Sequence, residues 1–151
     1  MKIQEYLEKL IKHLGVDEDF EIILEELENR LKINITVSSQ DAALLIGNSG
    51  ETLEAIELLT KLSFKDDFKD KRIMLDINGY RASFEDRLRQ KAIDLAKKVL
   101  ESGEPREIHG LNSYERYLIH SALAEDEGFS TIESVSEDRD EERVLVLRIK
   151  A

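Results

Sequence analysis

Residues 45–53 read Leu45-Ile46-Gly47-Asn48-Ser49-Gly50-Glu51-Thr52-Leu53, a Gly-x-x-Gly turn between two apolar helical stretches. Gly47 and Gly50 carry no Cβ, so they accept backbone angles that other residues resist and leave room for a bare strand to approach. Amides at the start of the following helix then face an anionic ligand. That arrangement points to a phosphodiester backbone.

Outward from this turn, the elements alternate in type. Ile3, Leu7, Leu10, Ile11 and Leu14 follow a helical period that Gly15 ends. Phe20 to Leu24, and then Leu31, Ile33, Ile35 and Val37, read as a hairpin turning at Glu28-Asn29-Arg30. Asp41 to Ile46 form a short helix before the turn. Leu53, Ala55, Ile56, Leu59 and Leu62 give an amphipathic helix after it, and Ile73, Leu75 and Ile77 a third strand. A long helix is expected over 80–101, with Gly103 and Pro105 beyond its end. Asn112-Ser113-Tyr114-Glu115 has the pattern of a capping box, opening a helix to about Glu127 with Gly128 at its end. Strands are expected at 130–136 and 143–150, around an acidic turn, Glu137 to Glu142.

Composition limits what such a chain does. At 151 residues, 41% hydrophobic and 36% charged, it has the balance of a globular protein able to bury a core. The first fourteen residues mix Lys2, Glu5, Glu8, Lys9 and Lys12 among apolar positions, unlike a leader peptide. No stretch approaches membrane-spanning length, so membrane insertion is not expected, and the absence of cysteine suits a cytoplasmic setting. A net charge of −11 opposes loose attraction to polyanions, so any nucleic-acid site must be local. Before Gly79 there are 10 basic against 17 acidic residues; from Gly79 onward, 12 against 16.

The element order of residues 1–78 around the Gly-x-x-Gly turn resembles a KH domain of type II topology. Leu75-Asp76-Ile77-Asn78-Gly79-Tyr80-Arg81 and Tyr114-Glu115-Arg116-Tyr117-Leu118-Ile119-His120 narrow the likeness to the bacterial Jag (SpoIIIJ-associated) family. There a KH domain precedes an Arg-xxx-His, or R-three-H, domain. The resemblance implies an α+β fold: a type II KH domain, a three-stranded sheet with helices on one face, at 1–78, followed by a small α+β Arg-xxx-His domain at 79–151. It also implies binding of single-stranded RNA, and of single-stranded DNA as a second ligand, with no catalytic step and no cofactor.

On that basis the expected nucleic-acid contacts are Ile46, Gly47, Asn48, Ser49 and Gly50, with Arg81, Arg116, His120 and Arg143. The glycine loop of a KH site clamps the backbone of about four nucleotides while bases lie in an apolar groove. Leu45, Ile46, Leu53 and Ile56 are candidates for that groove, and core packing is the stronger reading of Leu53 and Ile56. Asn48 and Ser49 stand where the family commonly has a basic residue; both still donate hydrogen bonds to phosphate. Gly50→Asp is expected to lower RNA affinity in a folded protein. Arg116 and His120 lie four residues apart, about 40° around one helix. Arg81 matches a family position and Arg143 is expected to complete a phosphate site beside Arg116. Arg87, Lys91 and Lys98 form a stripe best read as a solvated face. A pairing module, forming a homodimer or docking a partner KH protein through a degenerate KH site, is the alternative.

His13, His109 and His120 are isolated, with no metal-ligand spacing, and His109 is expected to be solvated in a loop. A P-loop, a nucleophile elbow and a dinucleotide fingerprint are missing. Neither a catalytic site nor a metal site is expected.

Overall fold

The computed structural model describes residues 2–17 and 19–151, which form two compact units, Met1–Arg81 and Ala82–Ala151. In the first, α1 (Lys2–His13), β1 (Glu21–Glu26), β2 (Arg30–Thr36), α2 (Ser39–Ile46), α3 (Glu51–Ser63) and β3 (Arg72–Ile77) follow in order. The sheet order is β1-β2-β3, with β1 antiparallel and β3 parallel to the central β2. Parallel pairs Leu31–Ile73, Ile33–Leu75 and Ile35–Ile77 put every buried side chain of β2 and β3 on one face. Ile3, Leu7 and Ile11 of α1, Ala42 and Leu45 of α2, and Leu53 and Ile56 of α3 close over them.

The amphipathic face of α3 differs from the expected one. Leu59 and Leu62 are 48% and 59% exposed, while Thr60 is fully buried. Its hydroxyl donates to the Ile56 carbonyl at 2.7 Å, so a polar residue enters the core satisfied and the buried stripe runs Leu53, Ile56, Thr60. Past the end of β3, the Asn78 amide donates to the Val37 carbonyl and accepts from the Val37 amide, at 2.9 and 3.0 Å. A side chain thus continues the ladder where the backbone turns away.

The second unit comprises most of α4 (Tyr80–Ser102), β4 (Arg106–Ile108), α5 (Ser113–Ala124), β5 (Ile132–Arg139) and β6 (Glu142–Ile149), with sheet order β4-β6-β5, all antiparallel. Leu88, Ala92, Ala96 and Val99 of α4 and Leu118, Ile119 and Leu123 of α5 pack on Leu145 and Leu147. The capping box forms as expected, with the Glu115 amide donating to Asn112 Oδ1 at 2.9 Å and the Asn112 amide to Glu115 Oε2 at 3.1 Å.

Two expectations for this unit need correction, and one strand was not anticipated. The helix ends at Ala124, because Asp126 caps a separate turn, Glu127–Phe129, that returns the buried Phe129 to the core. β4 is a strand too short for periodicity to reveal. The acidic turn shrinks to Asp140 and Glu141, since the charges around it pair across strands and lengthen both. Arg139 bridges Glu107 and Glu137, and Arg148 bridges Glu133 and Glu137. Val144 and Val146 alternate onto this charged face and are only 1% and 4% exposed.

Candidate nucleic-acid interface

α2 opens on Ser38, whose hydroxyl accepts the Asp41 amide at 3.2 Å, and closes on Gly47, whose amide donates to the Ala43 carbonyl at 3.1 Å. Gly47 has φ 74 and ψ −170; a Cβ there would overlap the Thr52 hydroxyl and lie 2.8 Å from Thr52 Cβ. Gly50, at φ 83, starts α3, and a Cβ there would stand 3.0 Å from the Tyr80 ring. The fold therefore demands both glycines. Gly50→Asp, expected from sequence to leave the protein folded, instead puts a charged side chain into a buried left-handed position against Tyr80. Between the glycines, Asn48 and Ser49 are exposed, and Ser49 adopts φ 55. Two adaptable polar side chains stand at the tip of the loop.

Of the groove candidates, Leu45, Leu53 and Ile56 are core residues at 0%, 1% and 2% exposure, and Ile46 is partly buried at the loop's edge.

Arg81 has commitments the sequence did not reveal. Its Nε donates to the Leu75 carbonyl at 3.0 Å and its Nη2 to Glu57 Oε2 at 2.8 Å, while the Leu75 amide donates to the same Glu57 oxygen at 3.0 Å. Lys61 binds the other carboxylate oxygen at 2.9 Å. Burial pushes the Glu57 carboxyl up. The Leu75 amide, the Lys61 hydrogen bond and the charges of Arg81 and Lys61 outweigh that and hold it below its ordinary value of 4.5.

In the second unit, Arg116, His120 and Arg143 line one cleft of about 470 Å³ with Ser113, Tyr117, Ser134 and Ser136. Among the described residues no carboxylate lines it. Arg116 is braced by the Leu111 carbonyl, 2.7 Å from Nη1, and by the Ser113 hydroxyl, 3.2 Å from Nη2. His120 is exposed and its Nδ1 meets the Ser134 hydroxyl of β5. Arg143, opposite Asp138 in the β5–β6 ladder, is 3.9 Å from that carboxylate and half exposed. The cleft thus brings together two guanidinium groups, an imidazole and serine hydroxyls, a donor set for phosphate oxygens.

Sequence reasoning missed Tyr117. Its ring is 63% exposed, borders the cleft and stacks on Tyr114 with centroids 6.5 Å apart. The signal was its place inside the Tyr114-to-His120 run. Arg87, Lys91 and Lys98 are exposed along α4. His109 is exposed past the end of β4, as expected of a solvated loop residue, and also bridges Glu142 and Glu107, each 3.1 Å away. The hydrogen bonds to Glu142 and then Glu107 raise its pKa above the ordinary 6.5. Among the described residues no cluster suited to a metal ion occurs, and no helix is long and apolar enough to cross a membrane.

Comparison with known proteins follows the same division. A family profile described as KhpA/KhpB, KH domain matches residues 4–77, and one for the R-three-H domain matches residues 86–148. The RNA-binding protein KhpB of Bacillus subtilis is 32% identical over 126 residues, 82% of this chain and 59% of the relative. KhpB of Clostridium symbiosum is 29% identical over 126 residues, covering 83% and 56% respectively. KhpB of Lactiplantibacillus plantarum is 30% identical over 148 residues, covering 97% of this chain and 44% of the relative. The chain therefore spans about half the length of these relatives. With a KhpA/KhpB-type KH domain and an R-three-H domain in that order, and relatives that match across both, the chain belongs to the Jag family.

Proposed function

We propose that this protein binds single-stranded RNA, and single-stranded DNA as a second ligand, without chemical turnover, in a cytoplasmic setting. The convergence of Arg116, His120 and Arg143 in a cleft that no carboxylate lines among the described residues, in a chain of net charge −11, carries this reading. Such a cleft concentrates positive charge where the chain as a whole repels polyanions. The Gly47–Gly50 loop supplies the second contact, with Asn48 and Ser49 donating to phosphate and Ile46 beside them. Arg81 contributes Nη1, its other two nitrogens being held by Leu75 and Glu57. Two weak sites on one chain act at high effective concentration on one strand, so neither need be strong alone. The relatives' name, RNA-binding protein KhpB, supports the same ligand.

The test is binding of fluorescent single-stranded RNA pools at low and moderate salt, comparing wild type with Arg116→Ala/His120→Ala. Salt-sensitive binding that weakens in the variant supports the reading; a wild type that binds no pool removes it. A second reading, pairing with another copy or a partner KH protein, is favoured by Leu58, Leu59 and Leu62, which are 56%, 48% and 59% exposed on α3. A nuclease-insensitive dimer with no shift on adding RNA would favour it.

A further inference from the structure

The segment from Lys61 to Ile73 holds a third cluster that neither motif predicts. Lys61, Lys65, Lys69, Lys71 and Arg72 line a cleft of about 290 Å³ floored by Phe68. Five of the ten basic residues of positions 1–78 thus meet at one place in a stretch with 17 acidic ones. The same segment contains Asp66, Asp67 and Asp70, none of which lines this cleft; Asp67 instead borders a separate cavity with Lys2 and Phe64. Folding therefore sorts an alternating sequence of charges into a basic face.

Pairing within the protein does not account for these cations. Lys61 and Lys71 have carboxylate partners in Glu57 and Glu26, but Lys65, Lys69 and Arg72 have no ion-pair partner among the described residues. Arg72 also stands opposite Arg30 in the β2–β3 ladder, both exposed. Like charges placed directly opposite cost stability. A cost borne without internal compensation is relieved when an external anion binds.

We propose that this cleft is a further binding site for the phosphodiester backbone of single-stranded nucleic acid, engaging nucleotides beyond those held by the Gly47–Gly50 loop. The proposal rests on the nucleic-acid reading above. Lys61 lies about 16 Å along the α3 axis from Gly50, counting about 1.5 Å per residue. It shares with Glu57 the side of α3 that faces β3, so the cleft belongs to the α3–β3 seam that begins at the loop. A loop clamp holds about four nucleotides. A longer strand following the seam brings its next phosphates to Lys65, Lys69 and Arg72, and Phe68 offers an apolar surface to a base.

The experiment compares random single-stranded RNA pools of about four and about ten nucleotides. The proteins are wild type, Lys65→Ala/Lys69→Ala, Lys65→Ala/Lys69→Ala/Arg72→Ala and, separately, Asn48→Asp/Ser49→Asp, each checked for a cooperative thermal transition no lower than that of the wild type. The double lysine variant leaves the strand untouched. The expected result is about a tenfold loss for the triple variant on the long pool, with the salt slope reduced by about 2 at roughly 0.7 per phosphate. The short pool should hardly respond. An unchanged affinity and slope on the long pool, with the Asn48→Asp/Ser49→Asp variant still impaired, would overturn the cleft alone. Absence of wild-type binding to either pool would overturn both readings. Loss of binding to phosphatidylserine vesicles with RNA binding intact would also overturn this one, assigning the cations to a lipid surface.

Discussion

The Glu57 carboxylate of α3 accepts the Leu75 amide of β3 at 3.0 Å, across the outer edge of the sheet. Arg81 takes the Leu75 carbonyl and the same carboxylate, so both backbone groups of one edge residue are satisfied by side chains. An exposed edge invites another strand or chain. Here it is closed at its middle.

Glu57→Ala should destabilise the first unit by about 1–3 kcal/mol, since it leaves the Leu75 amide and Arg81 without their shared acceptor. Glu57→Gln keeps one acceptor and should lose less. Because the folded carboxyl lies below its ordinary 4.5, its contribution is present above that value and disappears as pH falls through the folded value. Denaturant titrations of wild type and Glu57→Ala should therefore converge in acid. A constant gap across that range would contradict this account.

Asn48→Asp/Ser49→Asp should fold normally, because both residues are exposed and Asp tolerates the left-handed angles of Ser49. RNA affinity should fall about tenfold, the scale of one charge-assisted hydrogen bond. Gly47→Ala should behave oppositely, losing stability through its overlap with Thr52. Thermal melts alongside fluorescence binding separate the two.

Arg116→Ala should weaken binding to all pools and lower the salt slope by about 0.7, the mark of one lost phosphate contact on a single strand. Tyr117→Ala should cost about 1–3 kcal/mol of binding with little change in slope, since a stacked base carries no charge. If both variants changed the slope equally, the division between phosphate and base contacts would be wrong.

His109 sets a pH dependence in the second unit. Its folded pKa is raised, so its stabilisation is fully present below the unfolded value near 6.5 and is lost as pH rises through the folded value. The Glu107 carboxyl, lowered first by Arg139 and then by His109, and the Glu142 carboxyl, lowered first by His109 and then by the Gly110 amide, contribute fully above their unfolded values near 4.5 and lose that contribution as pH falls through their folded values. Thermal stability should be greatest between these limits. His109→Gln should flatten its decline on the alkaline side, as melting curves across neutral pH would show.

Local grammar was readable where a residue's neighbours in sequence are its partners in space. Asn112 and Glu115 announce their capping box, Gly47 and Gly50 their turn, and the alternation of Leu31 to Val37 its half-buried strand. What escaped depended on distant partners. Thr60 is a core residue because its hydroxyl finds the Ile56 carbonyl, and Arg81 is held by Glu57, 24 positions earlier. β4 exists because β6 offers three residues an edge. The Lys61–Arg72 cleft was hidden by its own sequence, where aspartates interleaved with lysines suggest neutrality until folding parts them.

The two faces of the second unit's sheet are protected by different means. One lies under α4 and α5. On the other, Val144 and Val146 share their side with the bridged charges of Glu107, Glu137, Arg139 and Arg148, whose aliphatic stems shelter the valines. That charged lattice does the work of a missing layer of helices, so a unit of only 70 residues shields both faces of its sheet without a second helical layer. Its armour should be the part most sensitive to ionic strength, since salt that loosens the bridges uncovers hydrocarbon beneath them.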